Sequence, residues 1–280
     1  MIIQMTMTRN ELFLIKEMFP IWKKYADGFV FLVDSSNDGT YEYLLENKEK
    51  FNILSILQIE RDGQLIIESD VRQKLFDEAL KYSGNILCLD TDEYLDGDLS
   101  KEQLEQILNE RKNTLFHLQW IQYTGKNQIR IDGPWGMNYK DRLGSYDHRA
   151  MFKYAQMHSE HMPRPGNELI IPIPHLFIAH LQWLDKKIVA VKQYFWKITD
   201  YVNYKEFGID VTPASAYDAS VNNFEWKYSD FKYELKINPN IYSFCNLKNN
   251  YKYKFIKENI KKYNIPNLND WGMDIHEENI

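Results

Sequence analysis

The chain has only two cysteines, Cys88 and Cys245, in 280 residues. Disulfides are therefore not the basis of the fold, and a reducing compartment fits best. No apolar run reaches the length of a membrane span. The opening "MIIQMTMTRNEL" lacks the basic-then-apolar plan of a signal peptide. The expectation is a cytoplasmic protein without an integral membrane segment. Basic charge is also short. A net charge of -6 argues against nucleic acid as a partner, because phosphate contacts need a basic surface. There is no internal repeat and no low-complexity linker. Aromatic residues, by contrast, are plentiful at 15%. Most will serve as core and rim, but Tyr and Trp also supply stacking surfaces.

The order of elements is regular at first. "MIIQMTM" reads as a strand, and "RNELFLIKEMFPIWKKYA" as a helix that Pro20 kinks or ends. "GFVFLV", a continuous apolar run, suits a parallel strand buried on both faces. It stops at the turn formers "DSSNDGT", and a helix follows with Asp38 or Thr40 near its N-cap. "FNILSILQI" is the next strand, and "ESDVRQKLFDEALKYSG" a helix with Ser69 as cap and Gly84 just past its end. "NILCLD" is a third strong strand, before a helix opened by a capping box of Ser100 with Gln103. This alternation predicts an α/β fold with a mostly parallel sheet. Beyond residue 113 the segments "TLFHLQWIQY", "QIRI", "RAMFKYA", "LIIPIP" and "LFIAHLQW" read as strands. A long helix starts at Asp185, and "YKYKFIKENIKKY" suits another. The expected organisation is one domain over 1–210, with halves 1–112 and 113–210, and a helical extension over 211–280 packed on it.

Chemistry gathers where the third strand ends. "LCLDTDEYL" places Asp90, Asp92 and Glu93 within four residues. Like charges this close are either fully solvated or hold a cation. Ligands of open α/β sheets bind outside the carboxyl ends of strands, where both Asp34 and Asp90 fall. Asp-x-Asp offers hard oxygen donors for Mg²⁺ or Mn²⁺, and such ions commonly fill their shell with substrate phosphates.

"VDSSNDGTYEYL" and "LCLDTDEYL", with "RNE" at residues 9–11 and "DVRQKLFDEALKYSGNILCLD", in which an Arg precedes a helix and then the acidic strand end, resemble the family-2 glycosyltransferases of GT-A fold. Order and spacing agree over residues 1 to 95. The resemblance implies a metal-dependent inverting glycosyltransferase. It would move a sugar from a nucleotide-diphospho-sugar donor to the hydroxyl of a glycan or other acceptor, with Mn²⁺ or Mg²⁺ as cofactor. By that resemblance Asp34 contacts the base, and Asp38 supports the loop or ribose. Arg72 approaches the diphosphate. Asp90 contacts ribose or joins the metal set, Asp92 ligates the metal, and Glu93 lies behind them or in the acceptor site. "FIAHLQWLDKKIVAVKQYF" is similar to a later family segment, which makes His180 a metal ligand and Lys186, Lys187 or Lys192 a phosphate partner. The family's usual Glu-Asp base motif is absent. "MHSEHMPRPG" offers Glu160 as base instead, with Asp141 or Asp147 behind it. Trp135 and Trp183 are candidates to stack on sugar faces.

Other functions use the same ingredients. A sugar nucleotidyltransferase wants a Gly-rich, basic loop after the first strand, and "MTMTRNE" is not one. A haloacid-dehalogenase-like phosphatase wants Thr or Val where Tyr94 stands. A non-catalytic module that keeps the fold and binds carbohydrate or nucleotide would retain the stacking surfaces without turnover.

Overall fold

A computed structural model describes residues 1–60, 67–136, 138–155, 158–164, 169–208, 226–244 and 250–264. The first apolar segments form β1 (Ile3–Thr8), α1 (Leu12–Trp22), β2 (Gly28–Asp34), α2 (Thr40–Glu46), α3 (Lys48–Phe51) and β3 (Ile53–Ile59). Next come α4 (Glu68–Leu80), β4 (Asn85–Cys88), β5 (Glu93–Gly97) and α5 (Lys101–Glu110). The second half gives β6 (Thr114–Gln122), β7 (Gln128–Arg130), β8 (Asn138–Ser145), β9 (Leu169–His180), α6 (Lys186–Phe207), β10 (Tyr228–Asp230) and α7 (Tyr251–Tyr263).

The main sheet has eight strands in the order β3-β2-β1-β4-β8-β6-β9-β5. From β3 to β4 it is parallel throughout. Beyond β4 the pairings of β4 with β8, β8 with β6 and β9 with β5 are antiparallel. The α/β architecture is as expected, and its parallel half follows from the apolar runs. Every residue of β2 is buried, because side chains alternate between two covered faces. On one face Val30 and Leu32 meet Val71, Leu75, Phe76 and Ala79 of α4, with Ile3, Met5, Ile86 and Cys88. On the other, Phe29 and Phe31 pack edge-on or tilted against Phe19 and Trp22 of α1. Each such ring contributes about 1.5–3 kcal/mol by leaving water. Pro20 lies inside α1 and does not end it before Trp22.

β1 is flanked by β2 and β4, so the chain order reverses at the β1/β4 neighbour pair. The carboxyl ends of these strands share one edge of the sheet, which is where an open sheet of this kind leaves a crevice. Asp34 and the turn after β4 both lie on that edge.

Several local expectations need correction. Ser69 does not cap α4, whose N-cap is Ile67; the Ser69 hydroxyl instead accepts from the Ala155 amide at 3.1 Å. "RAMFKYA" forms no strand over its described residues, and the strand of that region is β8, just before it. "LIIPIP" and the start of "LFIAHLQW" are one strand, β9. Glu93–Gly97 is itself a strand, antiparallel to β9. The capping box of Ser100 and Gln103 is present, as is the Asp185 cap on α6. Of the expected extension, Cys245, residues 211–225 and residues 265–280 lie outside the described residues.

By backbone proximity the chain forms two units, Met1–Ile121 with Met137–His180, and Gln122–Gly136 with Leu181–Ile280. The second unit thus takes residues 122–136 together with everything from Leu181 onward. Helix α6 groups with the C-terminal segment because Val191, Phe195, Ile198 and Val202 form a core with Phe255 and Ile256 of α7. No described helix is long and apolar enough to cross a membrane.

Gly84 follows α4 where the backbone of residue 146 comes close. A Cβ on Gly84 would sit 1.9 Å from the Tyr146 carbonyl oxygen, and the Tyr146 amide donates to the Gly84 carbonyl at 2.8 Å. Gly84→Ala is expected to destabilise the protein by about 1–3 kcal/mol or more. Gly125→Ala, where the nearest atom is 3.6 Å away, is expected to change it by less than about 0.5 kcal/mol. Urea denaturation of the two variants checks this; coincident midpoints would contradict it.

Candidate functional site

The site begins with two loops at the edge of the parallel half. Asn10, at φ 54°, and Ser35, at φ 44°, both adopt the left-handed conformation. They let the loop after β1 meet the loop after β2. The Asn10 amide donates to Ser36 Oγ at 3.0 Å, and the Asn37 amide to Asn10 Oδ1 at 2.7 Å. Asp38 accepts from the Leu12 amide at 3.0 Å and from the Thr40 amide at 3.1 Å. Its carboxylate thus ties the starts of α1 and α2 together, while the N-cap position of α2 is Gly39, at φ 86°. Asp34 is buried at the end of β2.

The acidic turn after β4 is compensated by basic side chains, which explains why it survives at the end of a buried strand. Glu93 is fully buried. Its carboxylate accepts from Arg142 Nη2 at 2.6 Å, Trp120 Nε1 at 2.8 Å and the Asp90 amide at 3.0 Å. Burial pushes the Glu93 carboxyl up, and Arg142 opposes that shift. The Glu93 carbonyl accepts from Trp22 Nε1 at 2.7 Å, which fixes the turn to α1. Arg142 Nη2 also donates to Asp90 Oδ2 at 3.0 Å. Burial works against the Arg142 charge, but Glu93 and Asp90 more than offset it and its pKa goes up. Thr91 donates to the Glu11 carboxylate.

Asp90 keeps an exposed side, at 37% of its side-chain surface. His161 Nε2 stands 3.2 Å from Asp90 Oδ2 and 3.2 Å from Arg72 Nη2. Arg72 is buried and held by Glu68. Burial opposes its charge most, but Glu68 and the neighbouring groups, Asp90 among them, together more than offset it, and its pKa goes up. Cys88 lies 3.9 Å from Arg72 Nη1, yet burial pushes its thiol up to about 12.

Asp92 and His180 are brought together. Both are buried, and His180 Nε2 is 3.4 Å from Asp92 Oδ2. The β5–β9 pairing does this, since Glu93 registers with His180. Trp120 stacks on the imidazole at 4.6 Å with an interplanar angle of 20°. Lys140 Nζ sits 4.8 Å from the Trp120 ring centroid, and burial, with Arg142 nearby, lowers its pKa.

The two base candidates share one cation. Arg164 Nε donates to Glu160 Oε1 at 3.0 Å, and its Nη2 donates to Asp141 at 2.5 Å. Asp141 also lies 3.2 Å from His117 Nδ1. Asp147 is elsewhere occupied, exposed and paired with its neighbour His148. Lys192, with Lys186 and Lys187, belongs to α6 in the second unit. In that unit Trp183 is buried, with Trp135 and Trp226 around it. The residues that the sequence did not nominate are Arg142, Trp120 and His117. Arg142 sits in β8, a strand with little apolar signature; Trp120 sits in the apolar β6, and only strand pairing brings both to Glu93.

Could these residues hold a divalent cation? Among the described residues no group of three or more His, Cys, Asp or Glu is placed for one. Asp92 and His180 offer one carboxylate oxygen and one imidazole nitrogen. Donors about 2.1 Å from one octahedral ion, at right angles, stand about 3 Å apart, and the observed 3.4 Å is near that. Two donors of one ion could stand at this spacing, with the rest of its shell left to groups other than described protein ligands.

No protein-family model and no curated protein matches the chain. Among solved structures, a nucleoside-diphosphate-sugar pyrophosphorylase from Vibrio cholerae RC9 is similar at 14% identity and a TM-score of 0.29, over 52% of this chain and 70% of that one. HddC from Yersinia pseudotuberculosis is similar at 8% identity and a TM-score of 0.33, over 64% of this chain and 92% of that one. Likeness at this level assigns no activity.

Two outcomes test this geometry. Trp120→Phe keeps a ring beside His180 but removes a donor from buried Glu93, and is expected to cost about 1–3 kcal/mol in urea denaturation; an unchanged midpoint would contradict it. In a Cys245→Ser background, Cys88 is expected to resist iodoacetamide at pH 8 in the native state and to react once unfolded in urea. Rapid native labelling, read by mass spectrometry, would contradict the buried, protonated thiol.

Proposed function

We propose that the chain is a metal-dependent, inverting glycosyltransferase of the GT-A type, which takes a nucleotide-diphospho-sugar as donor and a hydroxyl-bearing acceptor. The observation that carries the reading is the approach of Asp92 to His180 at the carboxyl edge of the parallel strands. A carboxylate and an imidazole there would hold Mg²⁺ or Mn²⁺, which supplies Lewis-acid stabilisation of the departing diphosphate. In this reading Asp34, buried at the end of β2, contacts the nucleotide's base. Asp38 serves by holding its loop, through the Leu12 and Thr40 amides, not by direct contact.

Transfer passes through an oxocarbenium-like state while negative charge grows on the leaving phosphate. Fixed positive charge near that phosphate lowers the barrier because it needs no reorganisation as the charge develops. The acceptor hydroxyl must lose its proton to a carboxylate within hydrogen-bond reach. Glu160 takes that role in this reading. It is the more exposed of the two carboxylates on Arg164, at 43% of its side chain against 13% for Asp141.

A sugar nucleotidyltransferase remains the nearest alternative. The loop after β1 speaks against it: Arg9, Asn10 and Glu11 stand where a glycine-rich phosphate cradle would be, and Asn10 is stitched to the neighbouring loop.

The test is turnover of a panel of nucleotide sugars with a mixed glycan acceptor and Mn²⁺, read as release of nucleoside diphosphate. Turnover is expected with one donor, abolished by EDTA and lowered about a hundredfold or more by Asp92→Ala. Release of pyrophosphate from a nucleoside triphosphate and a sugar phosphate would support the nucleotidyltransferase instead. No turnover with any donor, or turnover indifferent to Asp92, would overturn the proposal.

A further inference from the structure

Two arginines stand beside the acidic turn, and they differ in what they have left to give. Arg72 carries the role of phosphate partner by the family resemblance. Yet all three of its guanidinium nitrogens are engaged. Nε and Nη2 lie 2.9 and 2.8 Å from Glu68 Oε1. Nη2 also faces His161 at 3.2 Å, and Nη1 faces Cys88 Sγ at 3.9 Å. Glu68 further accepts from the Ser159 amide at 3.2 Å. Arg72 is thus the pin that fastens the loop around His161 to α4.

Arg142 is built differently. One nitrogen, Nη2, serves both Asp90 and Glu93. Its Nε and Nη1 are buried and meet no hydrogen-bond acceptor among the described residues. The residue is only 2% exposed. Buried donors without acceptors are rare, and each one in a native protein calls for a water, an ion or a ligand. Here the donors belong to a cation whose fork is fixed, since Nη2 is pinned on two carboxylates from the same turn. Both bidentate edges of the fork include the engaged Nη2, so Nε and Nη1 are separate single donors, and a fixed cationic N–H suits a phosphate oxygen in charge.

We propose that Arg142, not Arg72, donates to the diphosphate of the bound nucleotide, through one of its two remaining nitrogens, Nε or Nη1, while its Nη2 holds Asp90 and Glu93 in place. The proposal rests on the nucleotide-sugar reading above and names a binding residue for it. Arg142 is then the link between the acidic turn and the anionic part of the ligand. It would be a binding group that the turn itself positions.

The test is calorimetric titration of UDP, GDP, ADP, CDP and dTDP with Mg²⁺ into the wild-type chain, Arg142→Lys and Arg72→Lys. Binding of the matching nucleoside is followed by saturation-transfer NMR. Arg142→Lys is expected to weaken the preferred diphosphate about ten- to hundredfold and to leave nucleoside binding within about twofold. Arg72→Lys is expected to have the smaller effect on the diphosphate. In the wild-type chain, which needs no substitution, an Arg142 guanidinium N–H resonance, of Nε or Nη1, is expected to move downfield with the diphosphate and to stay in place with the nucleoside. Unmoved Nε–H and Nη1–H resonances of Arg142 under saturating diphosphate would overturn the assignment, as would equal losses of diphosphate and nucleoside in Arg142→Lys. If the wild-type chain binds none of the five diphosphates, the underlying reading fails with it, a result distinct from diphosphate binding that ignores Arg142.

Discussion

The buried pair of Glu93 and Arg142 is the constraint on which the candidate site depends. A carboxylate with no exposed surface is tolerable only when donors surround it. Glu93 has three, from β8, β6 and its own turn. With that carboxylate fixed, the backbone from Asp90 to Glu93 has one course, and β5 leaves the turn to pair with β9. That pairing carries His180 to Asp92. The same guanidinium reaches Asp90. One cation therefore sets the positions of the acidic residues while Asp90 keeps an open side.

Much of the parallel half was legible in the sequence. Runs such as "GFVFLV" and "NILCLD" are long enough, apolar enough and well enough bounded by turn formers to be strands of a doubly covered sheet. The helices between them carry their apolar residues on one side, and the capping box at Ser100 is a local signal that needs no tertiary help. The antiparallel half was less legible. β8 reads "NYKDRLGS", a polar string whose strand state comes from pairing with both β4 and β6. β5 carries Glu93 and Asp96 into the fold, and acids in a strand look like a turn until their partners are known.

The site was legible in the same uneven way. Asp34, Asp90, Asp92 and His180 follow from motif order, and the last two are adjacent in the fold. Asp38 accepts from the Leu12 and Thr40 amides. The basic partners were not legible. Arg142 lies 52 residues from Asp90 and 49 from Glu93, and nothing local marks it. The shared ion pairing of Glu160 and Asp141 through Arg164 was equally hidden, because it depends on how the chain after β8 returns to β8. Charge compensation is a property of the assembled fold, whereas carboxylates at strand ends are visible in the chain.

The central claim is that Asp92 and His180 share one divalent ion beside a diphosphate. Crystals grown with Mn²⁺ and the preferred nucleoside diphosphate, measured at the manganese absorption edge, address it directly. The account predicts a single strong anomalous peak within about 2.0–2.4 Å of both Asp92 Oδ2 and His180 Nε2, with diphosphate oxygens completing the shell. A peak bound elsewhere, or a bound diphosphate with no metal between these two side chains, would contradict it.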